Sequence, residues 1–264
     1  MANEQNREEK RQYILSRIQE MCYFDDVFMT KCLENYSTGI ELMLQIIMND
    51  HTLVVKEAQV QSVIKNLQGR SIRMDVKATD LKKKEYDVEM QRADSGARPK
   101  RARYNSSLMD ANAILPGDDT ELLPETYVIF ITENDVLRGN LPIYHVERMI
   151  KENGKLFDDK SHIIYVNGEI KDETPLGKLM QDLTCANPDE MNYKELVDRA
   201  RFFKKDEEGR KIMSKIMEEI INHEKIEVAE RMLDDGEISV DKIAKYLELP
   251  VEVVKELADN LQLV

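Results

Sequence analysis

The 264-residue sequence contains no apolar run that approaches the roughly 20 residues a membrane-spanning helix requires. Its N-terminal segment, MANEQNREEKRQY, is charged and polar, a composition that does not match a secretory signal. The three cysteines, Cys22, Cys32 and Cys185, form no CxxC pair, so we expect reduced thiols rather than disulfides or a zinc site. These absences predict a cytoplasmic protein without membrane contact.

Glycine and proline are scarce, at ten and seven residues, which argues against an architecture dominated by linkers. Neither a GxGxxG nor a GxxxxGK[ST] loop occurs, so the sequence does not indicate a nucleotide-binding loop of either type. Hydrophobic residues make up 42% of the chain and charged residues 34%. A packed core beneath a heavily charged surface is therefore expected.

The net charge of −13 is unevenly distributed along the chain. From Lys65 to Arg103, twelve basic residues stand against six acidic ones, whereas from Lys205 to Val264 nine basic residues stand against sixteen acidic ones. A uniformly acidic surface would repel nucleic acid, but a local excess of positive charge can bind phosphate. The charge distribution permits a nucleic-acid partner without requiring one.

Apolar periodicity predicts an α/β fold with a mixed sheet flanked by helices. Predicted helices span residues 5–22, 39–48, 99–113 and 191–233, and predicted strands lie within 52–66, 70–78, 85–91, 126–132 and 162–168. The chain past about residue 195 becomes almost wholly helical. We therefore predict one domain over 1–195 and a helical C-terminal region over 196–264. The segment from Ser239 to Asn260 resembles a helix–turn–helix pair whose acidic second helix favours packing or protein interaction over DNA reading.

Two neighbouring predicted strands alternate with a period of two and carry the candidate chemistry. Asp75 lies on the polar face of the first strand, and Glu89 and Gln91 lie on one face of the second. The short polar connection between them predicts an antiparallel hairpin, which would bring Asp75 close to Glu89. Two carboxylates with water ligands suit Mg²⁺, which can activate water and neutralise charge on a phosphodiester. The alternative is that these charged residues form only the solvated face of a strand.

Five separated segments carry a further signal: GRSIRMDVKATD, YDVEMQRAD, KRARYNSSLMDA, LPETYVIFITENDV and FDDKSHIIYVNG. In this order they resemble the PD-(D/E)XK nuclease family transposases, a group of recombination-promoting nucleases. The similarity extends from about Phe24 to Phe203. It implies a PD-(D/E)XK nuclease-like fold for the domain over 1–195 and a metal-dependent DNA endonuclease, a phosphodiester hydrolase that uses Mg²⁺ or Mn²⁺.

The resemblance also implies roles for individual residues. Asp75 and Glu89 match the two metal-binding acids, and Gln91 matches the third catalytic position, where the wider superfamily carries lysine. Glu41, on an otherwise apolar helix, matches a further metal-binding acid, although it can equally face solvent at the start of that helix. The predicted nucleic-acid-binding residues are Arg98, Lys100, Arg101, Arg103 and Tyr104. A solvated helix face is the alternative for each of these arginines.

Two rival functions share much of this evidence. One is a non-catalytic interaction protein that retains the nuclease fold, which the net charge and the missing lysine favour. The other is a nuclease directed at RNA. The intact set of Asp75, Glu89 and Gln91 favours an enzyme, with DNA as the expected partner. Whether the protein forms a homodimer stays open.

Overall fold

The computed structural model describes residues 2–66 and 69–261. The helices are α1 (Ala2–Glu20), α2 (Asp26–Leu33), α3 (Ser37–Ile47), α4 (Pro99–Ala113), α5 (Pro175–Thr184), α6 (Lys194–Lys205), α7 (Glu207–Asp235), α8 (Val240–Leu247) and α9 (Val251–Leu261). The strands are β1 (Val55–Ile64), β2 (Ile72–Asp80), β3 (Glu85–Gln91), β4 (Thr126–Thr132), β5 (Ile143–Val146), β6 (Met149–Ile150), β7 (Lys155–Leu156) and β8 (Ser161–Asn167).

Six strands form one mixed sheet in the order β1-β2-β3-β4-β8-β5. The pairs β1–β2, β2–β3 and β5–β8 are antiparallel, whereas β3–β4 and β4–β8 are parallel. Strands β6 and β7 form a separate two-stranded sheet. The expected mixed sheet flanked by helices is confirmed.

The chain divides into two compact units, each taken over its described residues. One comprises Gln19–Phe202 and contains the six-stranded sheet, and the other comprises Met1–Ile18 with Phe203–Val264. The predicted boundary after residue 195 falls inside α6. The division into a domain over 1–195 and a helical C-terminal region over 196–264 stays a prediction.

The sheet core explains why the strands form where they do. Every residue of β4 is buried, as expected of a central strand whose run TYVIFIT is mostly apolar. On β2 the buried residues alternate with more exposed ones, which is the period of a strand with one face on the core. Helix α4 covers one face of the sheet, where Ala102 and Met109 pack in a cluster with Val128, Phe130 and Tyr165. This packing places the polar face of α4 beside the ends of β2 and β3.

The smaller unit has its own apolar cluster. Ala229 on α7, Ile243 and Ala244 on α8 and Val254 on α9 are buried together. The predicted helix–turn–helix pair corresponds to α8 and α9, and the polar residues of α9 are exposed. Burial of one apolar face per helix explains this arrangement.

The structure divides one of the predicted helices into two. The stretch 191–233 contains α6 and α7, which are separated at Asp206. The Asp206 carboxylate accepts hydrogen bonds from the N–H groups of Glu208 and Gly209, so it caps the start of a new helix.

Over the described residues, helices long and apolar enough to cross a membrane are absent.

Candidate active site

Asp75 and Glu89 lie at the point where the β2–β3 ladder ends. The last pair of that ladder joins Val76 to Val88, so the next position of the antiparallel register sets Asp75 opposite Glu89. There the N–H of Met90 donates to Asp75 Oδ2 at 2.9 Å, in place of a bond between backbones. The structure thus brings these two predicted residues together on adjacent strands.

Glu89 is completely buried, with 0% of its surface exposed. Its Oε2 pairs with Arg101 Nη2 and accepts a hydrogen bond from Gln91 Nε2 at 3.2 Å. Its Oε1 accepts from Asn105 Nδ2 at 3.4 Å. Helix α4 supplies Arg101 and Asn105, which lie one turn apart on the face that covers β3. Helix α4 therefore provides hydrogen-bond donors to both oxygens of the Glu89 carboxylate.

Gln91 lies on the same side as Glu89 and is held between a strand and a turn. Its Oε1 accepts from Arg101 Nη1 at 3.2 Å, and the same nitrogen donates to the carbonyl of Gly96 at 2.7 Å. A Cβ atom at Gly96 would overlap the Gln91 side-chain amide, so only glycine permits this close approach. The turn at Asp94–Ala97 consequently fixes the position of Gln91.

Asp87 is a member of the cluster to which the sequence analysis gave no role. It is fully buried, and its Oδ2 accepts from Asn105 Nδ2 at 2.9 Å. Its Oδ1, like Asn105 Oδ1, has no hydrogen-bond partner among the described residues. One asparagine amide therefore bridges two acids, Asp87 and Glu89. Their spacing of two on β3 is the signal that would have identified Asp87, because residues i and i+2 share a strand face.

The three acids have raised pKa values. Burial raises the pKa of Glu89, the charges of Asp87 and Asp75 raise it further, and Arg101 opposes them. Burial likewise raises the pKa of Asp87. Burial raises the pKa of Asp75 against the hydrogen bond from Met90, and the charge of Asp26 adds to the rise. Carboxylates that share a buried site disfavour one another's ionised form.

Asp26, at the first turn of α2, is a second acid that sequence reasoning missed. It lines the same cavity as Asp75. Gln61 Nε2 donates to Asp26 Oδ1 at 2.6 Å and also to Thr30 Oγ1 at 3.1 Å. Gln61 adopts a positive φ of 53°, an unusual conformation for a non-glycine residue, in the middle of β1. The Asp25-Asp26 pair just before an apolar helix is the sequence feature that could have indicated this acid.

Glu41 does not join the cluster, contrary to the expectation from the resemblance. Its Oε2 accepts a hydrogen bond from the N–H of Val55, at 2.8 Å, at the beginning of β1. Asp75 lies beside the opposite half of β1, because Val60 pairs with Val76 and Ser62 pairs with Met74. The part of β1 from Val55 to about Gln61 therefore lies between the two carboxylates, and Asp26 is a helix acid that reaches the cavity.

A cavity of about 1050 Å³ opens in front of this cluster. Asp75, Gln91 and Asp26 line it, whereas Glu89 lies behind Arg101 and Gln91. Its basic lining residues are Arg70, Arg73, Arg98, Lys100 and Arg101. Positive charge around a carboxylate pair suits a polyanionic ligand that must approach a metal site.

Four of the five predicted nucleic-acid-binding residues line this cavity: Arg98, Lys100, Arg101 and Tyr104. The Tyr104 hydroxyl donates to the carbonyl of Arg70 and accepts from Asn66 Nδ2 at 3.1 Å. Arg103 is exposed on α4 and lies outside the cavity lining. The helical period separates it from Arg101 by about 200°, which explains the difference.

The donor set fits a hard divalent cation. Within the described residues, no group of three or more acidic, histidine or cysteine side chains forms a ready-made metal site. Mg²⁺, however, is usually bound through one or two carboxylates and retains several waters. Asp75 and Glu89 could supply those carboxylates, and Asp87 Oδ1, which lacks a hydrogen-bond partner among the described residues, lies on the same strand as Glu89. The site can therefore accept such an ion if Arg101 yields its place on Glu89.

The model of the PD-(D/E)XK nuclease family transposases matches residues 40–237. The chain belongs to this family. The match contains the β2–β3 hairpin and α4, and Asp26 lies before it. The family membership predicted from the sequence is confirmed, and PD-(D/E)XK nucleases typically use divalent metals. No curated protein and no solved structure gave a significant match to the chain.

Proposed function

We propose that this member of the PD-(D/E)XK family is a metal-dependent DNA endonuclease of the recombination-promoting type. The observation that carries the proposal is the position of Asp75 opposite Glu89, at the end of a strand pair and behind a cavity with a basic lining. Hydrolysis of a phosphodiester joins a water oxygen to phosphorus and releases one ester oxygen, which takes up a proton. The residues around the cavity match the needs of that reaction.

Asp75 and Glu89 would hold Mg²⁺ or Mn²⁺. When bound, such an ion lowers the pKa of a coordinated water and neutralises charge on the phosphate. Gln91 is placed to orient the water or the phosphate through its side-chain amide. Asp26 would act as a further acid at the cavity, held by Gln61.

DNA suits the electrostatics of the cavity despite the net charge of −13. Arg70, Arg98 and Lys100 surround the entrance to the acids, and arginine binds phosphate through a planar pair of donors. The acidic excess lies outside residues 65–103, the segment that supplies the basic lining residues and that holds twelve basic residues against six acidic ones. Binding through such contacts should weaken steeply with salt, because each neutralised phosphate releases counterions.

The non-catalytic alternative explains the cluster poorly. Two buried acids and one partly buried acid, all with raised pKa values, destabilise a fold, and a protein that served only as an interaction partner would have no need of them. Perturbed carboxylates beside a cavity are typical of functional sites. The alternative of an RNA substrate uses the same chemistry and differs in the nucleic acid bound.

The test is a nicking assay on supercoiled plasmid with Mg²⁺, run beside a single-stranded RNA of mixed sequence. We expect wild type to nick the plasmid and Asp75→Ala to lose that activity. Cleavage of RNA with the plasmid left intact would reassign the substrate. A wild type that cuts neither with Mg²⁺ nor with Mn²⁺ would support the non-catalytic alternative.

A further inference from the structure

Arg101 is the positive group that lies directly between the buried acids and the cavity. Its Nη2 pairs with Glu89, and its Nη1 donates to both Gln91 Oε1 and the Gly96 carbonyl. The side chain is 37% exposed, whereas that of Glu89 is fully buried. The guanidinium also lies 5.8 Å from the centre of the Phe130 ring. One end of the contact is thus inside the protein and the other faces the cavity.

The cavity side of the Arg101–Glu89 contact has an electrostatic requirement during hydrolysis that the buried side does not have. Negative charge builds on the phosphate oxygens in the transition state, and a positive donor there accelerates the reaction. Gln91, which follows Glu89 by two residues on the same strand face, is neutral and cannot supply that charge. Arg101 contacts the Gln91 amide and lines the cavity, so its guanidinium is in position to supply it.

We propose that Arg101 has two successive partners: the Glu89 carboxylate in the cation-free protein, and the scissile phosphate once a divalent cation binds Glu89. This rests on the proposed nuclease function. In the first state the guanidinium pairs with a buried carboxylate whose other two donors, Gln91 and Asn105, are neutral. In the second state Glu89 would serve as a ligand of the cation, and the guanidinium, released from Glu89, would stabilise the phosphate charge. Arginine suits both partners, since its planar fork matches carboxylate and phosphate alike.

A purely structural ion pair predicts something different. If Arg101 only braced Glu89, its removal would loosen the site, and metal affinity and cleavage would fall together. If Arg101 competes with the cation for Glu89, its removal leaves metal affinity unchanged or increases it. Cleavage then falls on its own, because the phosphate loses its positive donor. Metal affinity and cleavage rate, measured together, therefore distinguish a structural ion pair from a donor to the phosphate.

The experiment uses the full chain, with Mn²⁺ binding followed by electron paramagnetic resonance and cleavage followed by plasmid nicking. The variants are Arg101→Gln, Arg101→Lys and the double variant Gln91→Lys/Arg101→Gln, each with a thermal melt to establish folding. Arg103→Gln is the matched control for Mn²⁺ binding, because it removes the same charge from the same helix without touching Glu89.

We expect Arg101→Gln to lower the nicking rate by about 100-fold or more, the usual loss for one transition-state donor. Its Mn²⁺ affinity should equal or exceed that of wild type, whereas Arg103→Gln should leave the affinity unchanged. Arg101→Lys should retain part of the rate, and Gln91→Lys should restore cleavage in the Arg101→Gln background by returning a positive charge. If Arg101→Gln unfolds, the lysine and double variants, which retain the charge, carry the test.

Three results would overturn this proposal. A nicking rate of Arg101→Gln equal to wild type would remove Arg101 from the reaction, while the nuclease function would stand. Parallel losses of Mn²⁺ binding and nicking, without rescue by Gln91→Lys, would make Arg101 a structural brace. Wild type that binds Mn²⁺ but does not nick would end the nuclease proposal and this inference together.

Discussion

The Asp75 carboxylate takes the place of a backbone acceptor: its Oδ2 binds the N–H of Met90 at 2.9 Å where the β2–β3 ladder stops. The same side chain therefore terminates a strand pair and faces a cavity. These two functions, one structural and one electrostatic, can be separated by substitution.

Asp75→Asn should keep the structural function, because its amide oxygen can still accept the Met90 N–H, while the charge is lost. Asp75→Ala should lose both, and a buried donor without a partner costs about 1–3 kcal/mol. We therefore expect the alanine variant to be the less stable of the two in urea unfolding without metal. Equal stabilities would show that the bond from Met90 contributes little.

Asn105 should contribute more to the stability of the protein than the exposed Asn112 on the same helix. It donates to both Asp87 and Glu89, so Asn105→Ala should destabilise the protein by about 1–3 kcal/mol. Asn112→Ala is the matched control, since that side chain is exposed and bonds to the Leu108 carbonyl on its own helix. We expect its effect to stay within about 0.5 kcal/mol. Similar losses in the two variants would contradict the bridging role.

The raised pKa values give the metal-free protein an unusual pH dependence. A carboxyl group whose pKa is higher in the folded than in the unfolded state binds more protons when folded, so its contribution to stability falls as pH rises through the interval between the two values. For Asp75, Asp87 and Glu89 that interval begins near their ordinary pKa values of about 4 and extends upward.

In chelator, urea unfolding should therefore give a free energy that declines from about pH 5 toward neutrality. Asp87→Asn should flatten that decline, because it removes one titrating carboxyl group and also a charge that raises the pKa of Glu89. One proton corresponds to a slope of about 1.4 kcal/mol per pH unit. An unchanged slope in Asp87→Asn would show that this carboxyl group titrates alike in both states.

Gly96→Ala should disturb the site without touching an acid. The added methyl group would overlap the Gln91 amide, which must move away from Arg101 and Glu89. We expect slower nicking and a lower melting temperature. The double variant Gly96→Ala/Gln91→Ala removes the overlap, so its melting temperature should match that of Gln91→Ala alone. Additive losses in the double variant would place the cause of the Gly96→Ala effect elsewhere.

The local part of the site could be predicted from the sequence. Strands β2 and β3 follow from residues that alternate with a period of two, and the short connection between them sets their antiparallel pairing. That pairing brings Asp75 to Glu89. Helix α4 was predicted over 99–113 and extends from Pro99 to Ala113, because proline opens it and its apolar residues face the sheet.

The long-range part of the site could not be predicted in this way. Periodicity does not give the position of a helix along a strand, so it predicts neither the contact of Glu41 with the start of β1 nor the position of Asp26 at the cavity. The contact between Arg101 and Glu89 depends on how α4 crosses β3, which single-sequence patterns leave undetermined. Asp87 was overlooked because a charged strand residue is usually exposed, whereas α4 buries this one.

The most direct test of the central claim is a thermal melt of wild type, Asp75→Asn and Glu41→Gln with and without millimolar Mg²⁺ or Mn²⁺. A cation that binds only the folded site raises the melting temperature by mass action. We predict that wild type and Glu41→Gln respond equally and that Asp75→Asn does not respond. A rise in Asp75→Asn as large as that in wild type would contradict the account, because the cation would then bind at another place.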